Sequence, residues 1–264
     1  MTSGTAPWLA RRAMLRLHCP VSAPVFPKLE LPAIEFDTSH APDTTMSTTM
    51  DFDTARATMI EQQIRPWEVL DPRVLDALGQ VRREDFVPIA YRMLAFADIA
   101  LPLEHGESML KPVIEGRLLQ ALDLSPADDV LEIGTGSGFV TACLAQLAHA
   151  VTSIDIHADF IEAARTRLAA ADIHNVRLET ADAMGWNAGR QYDAVCVSAA
   201  VAEIPPRMFD WVKSGGRLFV IRGRAPAQEA LRMTRRGDSW HTESLFETDI
   251  PYLRGAAPIP RFAL

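Results

Sequence analysis

The amino-acid sequence predicts an α/β fold: a mostly parallel, doubly wound sheet with N-terminal helices and an antiparallel hairpin at one edge. From about residue 130 onward, short apolar runs alternate with helical stretches. This alternation is typical of parallel strands joined by right-handed helical crossovers. Near the end of the chain, strand-like segments flank Arg236-Gly237-Asp238, a turn sequence that indicates a closing hairpin.

Composition excludes several classes of protein. The chain has 264 residues, of which 48% are hydrophobic, with 26 basic and 34 acidic side chains and a net charge of −8. Such a chain can bury a sizeable core, lacks the basic field that favours nucleic-acid partners, and has no apolar run of the ~18 residues that a membrane helix needs. Cys19, Cys143 and Cys196 form no CxxC pair, which predicts a cytoplasmic protein and neither a disulfide scaffold nor a zinc ribbon. Nothing in the sequence demands a partner subunit, so we expect a monomer.

The first 49 residues differ from the rest. They hold six of the 18 prolines and show no useful helical or strand periodicity. We predict that residues 1–49 are a disordered N-terminal extension and that residues 50–264 form one folded domain. A transit peptide remains the alternative for this extension, because its start is poor in acids and contains arginines.

Helix signals precede the alternating region. Asp51 or Asp53 can cap a helix that continues to about Ile64, before the Arg65-Pro66 pair. Asp71-Pro72 is typical of a helix cap followed by proline at the first helical position, and Pro112 opens a further helix. The sequence then predicts helices over residues 139–148 and 159–171. It predicts strands over residues 130–133, 150–154, 176–179, 192–197 and 218–221, the last after the turn Lys213-Ser214-Gly215-Gly216.

A glycine-rich loop follows the first predicted strand, with the sequence Glu132-Ile133-Gly134-Thr135-Gly136-Ser137-Gly138. Glycines let a ligand approach the backbone at the carboxyl end of a sheet, although a tight strand–helix turn alone also explains them. Asp155 ends the next strand, where an acid can accept bonds from ribose hydroxyls, and Asp182 ends the third, near an adenine edge. A dinucleotide GxGxxG motif would need glycine where Phe139 stands. The GxGxG spacing instead resembles the first motif of the S-adenosylmethionine-dependent methyltransferases, whose cationic cofactor suits acidic residues.

Several further stretches, in order along the chain, match the pattern of a narrower family. The matching stretches are Met59 to Ile64, Val81-Arg82-Arg83-Glu84-Asp85-Phe86-Val87-Pro88, Val130 to Gly138, Asp182 with Gly185-Trp186, Tyr192-Asp193-Ala194, Ser198-Ala199-Ala200-Val201-Ala202-Glu203-Ile204-Pro205 and Lys213-Ser214-Gly215-Gly216-Arg217-Leu218. Through them the sequence resembles the protein-L-isoaspartate O-methyltransferase family over most of residues 55–250. The resemblance implies a Rossmann-like class I methyltransferase that uses S-adenosylmethionine to methylate carboxyl groups of L-isoaspartyl residues in damaged proteins or peptides.

The resemblance also implies a set of site residues. The expected cofactor contacts are Glu132, Gly134, Thr135, Gly136, Gly138, Asp155, Ile156, Asp182 and Ala183. The expected substrate wall comes from the loop that contains Ala199, Ala200, Ile204 and Pro205. From the residues themselves, Lys111 is a candidate anchor for an acceptor carboxylate and His105 a candidate lining residue, with solvated loop side chains as the alternative for both.

The chain departs from the family at the substrate loop, where the family has a serine at the reaction centre. Here the segment reads Gly106-Glu107-Ser108-Met109-Leu110-Lys111-Pro112, so Leu110 stands at the serine position and the nearest hydroxyl is that of Ser108. No catalytic serine is therefore carried over. Two alternatives stay open: a methyltransferase with a different acceptor, or a catalytically weak adaptor that binds the cofactor. A nicotinamide dehydrogenase is disfavoured by Phe139. The scattered histidines show no metal-ligand spacing, so no metal site is predicted.

Overall fold

A computed structural model describes residues 50–259, and the predicted extension over residues 1–49 lies outside the described residues. The first helix, α1, spans Phe52–Met59. Asp51 caps it, because one of its carboxylate oxygens accepts from the backbone N–H groups of Asp53 at 3.1 Å and Thr54 at 3.3 Å. A π-helical turn (Ile60–Ile64) and a 3-10 turn (Arg65–Trp67) continue the chain, so α1 is shorter than predicted.

Three further helices precede the central sheet. They are α2 (Pro72–Gln80), α3 (Arg83–Phe86) and α4 (Pro112–Leu122). Both predicted proline starts are confirmed, since Pro72 and Pro112 each occupy the first turn of a helix. Between α3 and α4 lie a 3-10 helix (Ile89–Leu94) and a small antiparallel sheet of β1 (Leu101–Pro102) and β2 (Ser108–Met109). Two-residue strands are too short to show alternation, which is why the sequence did not predict them.

The central sheet has seven strands: β3 (Asp129–Ile133), β4 (Ala150–Asp155), β5 (Val176–Thr180), β6 (Tyr192–Val201), β7 (Val212–Arg224), β8 (Ala227–Arg236) and β9 (Ser239–Thr248). Their order in the sheet is β5-β4-β3-β6-β7-β8-β9. Strands β3 to β7 pair in parallel, whereas β7, β8 and β9 pair antiparallel. The helices that follow α4 are α5 (Phe139–Leu147), α6 (Ala158–Ala170) and α7 (Arg207–Asp210). The predicted α/β class with an antiparallel edge is therefore confirmed.

The turn predicted at Lys213 to Gly216, before the last parallel strand, is wrong, because these residues lie within β7. Tyr192 on β6 pairs with Val212, and Ala194 pairs with Arg217, so β7 has extra residues between the two pairs. The extra residues form a bulge, which ends neither strand. Within residues 50–259, none of the helices combines the length and the apolar character needed to cross a bilayer.

Candidate functional site

An open cleft lies where the parallel strands β3, β4, β5 and β6 end. Ligands of doubly wound sheets bind at this edge, because the chain leaves each strand there and the crossovers separate. The cleft has a volume of about 640 Å³, including its open mouth. The lining residues come from the substrate loop (Leu103, Glu107, Ser108), the ends of the strands and the loops behind them (Ile133, Gly134, Gly136, Ile154, Asp155, Ile156, His157, Ala181, Asp182, Ala183, Ser198, Ala199), α6 (Phe160) and the C-terminal segment (Tyr252, Leu253, Arg254).

The glycine loop presents backbone to this cleft. Gly134 and Gly136 line it and have φ values of 96° and 49°. A side chain on Gly134 would meet Ser198 at 3.7 Å, across the cleft wall. The backbone N–H of Gly136 donates to a carboxylate oxygen of Asp155 at 2.9 Å. The loop is therefore fixed against the end of β4 and leaves the cleft unobstructed by side chains.

Asp155 and Asp182 both reach the cleft, as the sequence placed them. One oxygen of Asp155 accepts from Gly136, and the other accepts from the backbone N–H of His157 at 2.9 Å. Asp182 accepts from the backbone N–H of Met184 at 2.9 Å. A carboxylate oxygen has two lone pairs, so each aspartate keeps acceptor capacity for hydroxyl or amino groups of a ligand. Ile156 and Ala183, the residues that follow these strand ends, line the cleft as well.

Glu132 does not reach the cleft, contrary to the expectation of a cofactor contact. It is completely buried near the end of β3, where one oxygen accepts from the hydroxyls of Thr141 on α5 and Ser153 on β4. Burial raises the pKa of Glu132 to about 8, against the opposing hydrogen bonds from Ser153 and Thr141. The carboxyl is therefore mostly protonated at pH 7, and it does not supply the negative charge that the sequence suggested.

Two other predicted contacts lie behind the glycine loop. Thr135 is buried, and its hydroxyl lies 2.6 Å from that of Ser153. Gly138 has φ of 87°, and a Cβ atom there would lie 3.0 Å from the Cβ of Ala164 on α6. Both residues hold the loop and the helices behind it, and neither lines the cleft.

The substrate loop places a hydroxyl in the cleft, but not at the position that the resemblance suggested. Ser108 lines the cleft, whereas Leu110 is 6% exposed and packs in the hydrophobic core. Ser108 is half-buried in β2, whereas Met109 and Leu110 are both buried, and the carbonyl oxygen of Leu110 accepts from the buried guanidinium of Arg83 at 2.8 Å. Lys111 is exposed, precedes α4 and does not line the cleft.

The predicted substrate wall lies only partly at the cleft. Ala199 lines it, whereas Ala200 is buried and exchanges backbone hydrogen bonds with Pro251 and Leu253. Ile204 lines a different surface depression, next to Glu203, and Pro205 also lies away from the cleft. The family resemblance predicts one continuous loop here, but β6 runs on to Val201. Ala199 and Ala200 therefore lie in the strand, and Ile204 and Pro205 come after it.

A further wall of the cleft comes from the segment after the last strand, which the sequence did not predict. Tyr252, Leu253 and Arg254 follow the last strand and return to β6, where the backbone N–H of Leu253 donates to Ala200 at 2.7 Å. Arg254 is the one lysine or arginine that lines the cleft within residues 50–259. Its guanidinium lies 3.6 Å from Glu107 and donates to the carbonyl oxygen of His105 at 3.4 Å. No local motif marks this segment, because only the long-range bridge to β6 brings it to the site.

Comparisons with known proteins agree with this geometry. A model of the protein-L-isoaspartate(D-aspartate) O-methyltransferase family matches residues 54–250. The protein-L-isoaspartate O-methyltransferase of Methylorubrum populi is 39% identical over 206 residues, which cover 77% of this chain and 97% of the relative. The chain belongs to the protein-L-isoaspartate O-methyltransferase family.

Other members of the family give the same picture. Protein-L-isoaspartate O-methyltransferase 1 of Rhodopseudomonas palustris is 38% identical over 219 residues, which cover 80% of this chain and 89% of the relative. The crystal structure of a Plasmodium falciparum protein-L-isoaspartate O-methyltransferase, bound to S-adenosyl-L-homocysteine, shares the fold with a TM-score of 0.65 at 18% identity, covering 75% of this chain and 98% of that one. Membership in the family confirms the predictions of a methyltransferase and of S-adenosylmethionine as its cofactor.

Proposed function

We propose that this chain transfers a methyl group to the α-carboxylate of L-isoaspartyl residues in damaged proteins or peptides. The observation that carries the proposal is the cleft itself, in which two aspartates and an open glycine loop meet a hydroxyl and an arginine. Asp155 and Asp182 line it from the ends of β4 and β5, and Ser108 and Arg254 line it from the substrate loop and the C-terminal segment. The first pair suits a cationic nucleoside cofactor, and the second pair suits an anionic acceptor.

The described residues fit the cofactor. Gly134 and Gly136 leave the backbone open, Asp155 and Asp182 offer acceptors to hydroxyl and amino groups, and Ile156 and Ala183 add apolar surface. S-adenosylmethionine supplies a methyl group that its positive sulfur makes electrophilic. The two aspartates contribute negative charge and acceptor atoms near it, and Glu132, buried and mostly neutral, contributes neither.

The acceptor side needs no general base. A carboxylate with an ordinary pKa near ~4 is already ionised at pH 7, so the protein must only orient it in line with the methyl group and exclude water. Ser108 and Ser198 place two hydroxyls in the cleft, and Arg254 places a positive charge there. We propose that these three side chains hold the acceptor, with Ala199 forming part of the wall. Loss of a hydrogen bond from Ser108 or Ser198 to the acceptor would cost on the order of 1–3 kcal/mol, which is about 10- to 100-fold in rate.

Transfer of a radiolabelled methyl group to an isoaspartyl peptide, compared with the aspartyl peptide of the same sequence, tests the acceptor. We expect methylation of the isoaspartyl form only, since its α-carboxylate lies on a shorter branch. Equal labelling of both peptides, or of neither, would contradict the proposal. Calorimetry with S-adenosyl-L-homocysteine tests the cofactor site: Asp155→Asn is expected to weaken binding, whereas Asp238→Asn, at the exposed tip of the β8–β9 hairpin, is not.

A second candidate function is a methyltransferase of this family with a more apolar acceptor. The observation that favours it is Leu110, which removes the hydroxyl from the family's serine position and lies in the core instead of the cleft. If the isoaspartyl peptide is not methylated while S-adenosyl-L-homocysteine still binds, this alternative replaces the first. Absence of both peptide methylation and S-adenosyl-L-homocysteine binding would contradict both candidate functions.

The partners and the compartment are part of the same proposal. We infer a monomer that acts in the cytoplasm on protein or peptide substrates and does not bind nucleic acid. Cys143 and Cys196, the cysteines within the described residues, are buried free thiols, which suit a reducing compartment. Light scattering during gel filtration tests the monomeric state, and fractionation of cells tests the compartment.

A further inference from the structure

Two imidazoles and a carboxylate form a cluster at the mouth of the cleft. The side chains are those of His105, His157 and Asp159, and one ligand atom from each lies within 4.8 Å of the others. Nε2 of His105 lies 3.0 Å and 2.9 Å from the two carboxylate oxygens of Asp159. We propose that these three side chains bind a divalent transition-metal ion of the zinc class. Two histidines and one carboxylate, with a fourth position left to water, are a donor set that zinc accepts in proteins.

The ligands come from two distant segments of the chain, which is why their spacing along the sequence did not reveal them. His105 lies in the 3-10 turn Glu104–Gly106, next to the substrate loop, and has a positive φ of 60°. His157 caps α6, and Asp159 lies in the first turn of that helix. An ion at this place would join the substrate loop to α6 along one wall of the cleft.

His157 supplies an independent observation in favour of a ligand at this place. Its Nε2 atom is buried and has no hydrogen-bond partner among the described residues. Buried polar atoms are nearly always paired, because a lost bond to water is otherwise not replaced. The exposed histidines His149 and His174 each contact one carboxylate, of Asp129 and Asp172, and neither belongs to a group of three such ligands within residues 50–259.

The arrangement of the two rings shows what must move when the ion binds. The rings of His105 and His157 are stacked, with centroids 3.9 Å apart and planes at 2°. Stacked rings direct their nitrogen lone pairs in parallel, whereas an ion requires lone pairs that converge. Ligand atoms of a tetrahedral zinc ion are roughly 3.3 Å apart, since each zinc–nitrogen bond measures about 2.0–2.1 Å. Binding therefore rotates one imidazole and breaks the stack, and Phe160, which contacts both rings edge-on, can follow.

Calorimetric titration of the full chain, stripped with a chelator, with zinc chloride in the absence of cofactor tests the site. We expect one ion per chain. His105→Asn and Asp159→Asn are each expected to weaken zinc binding roughly tenfold or more, because loss of even a residue that hydrogen-bonds to a metal ligand lowers metal affinity about 10- to 100-fold. Asparagine is chosen at position 105 because it tolerates positive φ. His174→Ala removes the comparable exposed His174–Asp172 pair and is expected to leave the isotherm unchanged.

Nitrogen chemical shifts of the imidazoles provide a second measurement that does not depend on methyl transfer. On addition of zinc, the signals of His105 and His157 are expected to move together, while those of His149 and His174 stay in place. The proposal is overturned if His105→Asn binds zinc as tightly as the unmodified chain, or if all four histidines respond equally, because the ion would then be held adventitiously by the surface.

Discussion

The guanidinium of Arg83 donates to the carbonyl oxygen of Leu110 at 2.8 Å, from a position that is completely buried. The same side chain pairs with Glu115 at 2.9 Å and donates to the carbonyl oxygen of Ala95. One buried cation thus connects α3, α4 and the segment that leads into the substrate loop. The backbone at the family's serine position is held from the core side, whichever side chain it carries.

Replacement of Arg83 should destabilise the protein strongly. In Arg83→Met, the buried carboxyl of Glu115 loses its cationic partner and the carbonyl groups of Leu110 and Ala95 lose their donor. Breaking a buried ion pair from one side costs about 3–5 kcal/mol. Urea denaturation should show a loss of this size in the free energy of unfolding.

The double variant Arg83→Met/Glu115→Leu distinguishes the effect of the ion pair from the effect of the hydrogen bond that Arg83 donates to the carbonyl of Leu110. It removes both charges, so most of the unfolding free energy should return, whereas the carbonyl of Leu110 still lacks its donor. We then expect a raised KM for the isoaspartyl peptide in a stable protein. If the free energy of unfolding of the single variant Arg83→Met lay within about 1 kcal/mol of that of the unmodified chain, the role assigned to this ion pair would be contradicted.

Restoring the family's serine should harm this chain. Because Leu110 is 6% exposed and packs in the core, Leu110→Ser creates a cavity and buries a hydroxyl there. Leucine-to-alanine changes in cores cost about 2–5 kcal/mol, and an unpaired hydroxyl adds to that. We expect lower stability and no gain in kcat for an isoaspartyl peptide.

Leu110→Ala is the matched control, since it makes a similar cavity without the hydroxyl. Thermal unfolding should rank Leu110→Ser at or below Leu110→Ala, with both below the unmodified chain. Higher turnover in Leu110→Ser alone would instead mean that the hydroxyl reaches the cleft, and that the loop can rearrange around it.

The fold was predictable because its signals are local and periodic. The alternation of β3, β4 and β5 with α5 and α6, the Asp71-Pro72 start of α2 and the turn around Gly237 each lie within a short stretch of chain. The bulge at Lys213 to Gly216 was not predictable, because glycines there indicate a turn equally well. Only the pairing of β7 with β6 decides between the two interpretations.

The site was predictable only where the chain leaves a strand. Asp155 ends β4 and Asp182 comes just after β5, so their place at the cleft is a consequence of the parallel sheet. Glu132 lies one residue before the end of β3, where its side chain turns into the layer behind the sheet instead of the cleft. Arg254 and the cluster at His105 depend on contacts between distant segments, which no spacing along the sequence encodes.

The buried Glu132 should make stability depend on pH. Its pKa is raised to about 8 in the folded protein, from 4.5, with burial as the main cause. Between these values the folded state keeps a proton that the unfolded state has lost, so the free energy of unfolding falls as pH rises, by up to about 5 kcal/mol in total. Below pH 4.5 the carboxyl is protonated in both states and the effect vanishes.

Glu132→Gln removes this titration and keeps an oxygen that accepts from Thr141 and Ser153. Relative to the unmodified chain, the variant should gain stability steadily between pH 5 and pH 8 in urea denaturation. Glu203→Gln, at an exposed carboxylate, should show a difference that does not change with pH. A constant difference for Glu132→Gln as well would show that its carboxyl is ionised in the fold.

Arg254 should influence binding of the acceptor more than the chemical step. Its side chain is 51% exposed and lies 3.6 Å from Glu107, so solvent screens its charge. An exposed ion pair contributes about 0.2–1 kcal/mol, which corresponds to a rise in KM of about 1.4- to 5-fold in Arg254→Ala, with kcat little changed. Steady-state kinetics with an isoaspartyl peptide at low and high salt measures this. Arg254→Lys should recover part of the loss, and an equal fall in kcat for both variants would contradict a role in binding alone.

Gly138 should matter for packing as well as for backbone conformation, and a second glycine separates the two effects. Gly138 has φ of 87°, and an added Cβ would lie 3.0 Å from the Cβ of Ala164. Gly189 also has a positive φ, 64°, but nothing lies within 4 Å of its added Cβ. The conformational cost alone, about 1–2 kcal/mol, is therefore expected for Gly189→Ala. Gly138→Ala should cost more, by about 1–3 kcal/mol for overpacking against α6. The added Cβ would push α6 away and so move the residues next to Asp155, so calorimetry should also show weaker S-adenosyl-L-homocysteine binding in Gly138→Ala only.

The stability measurements on the two glycine variants can contradict this role. Equal losses of stability in Gly138→Ala and Gly189→Ala would mean that α6 moves without cost and that the contact with Ala164 does not fix the glycine loop.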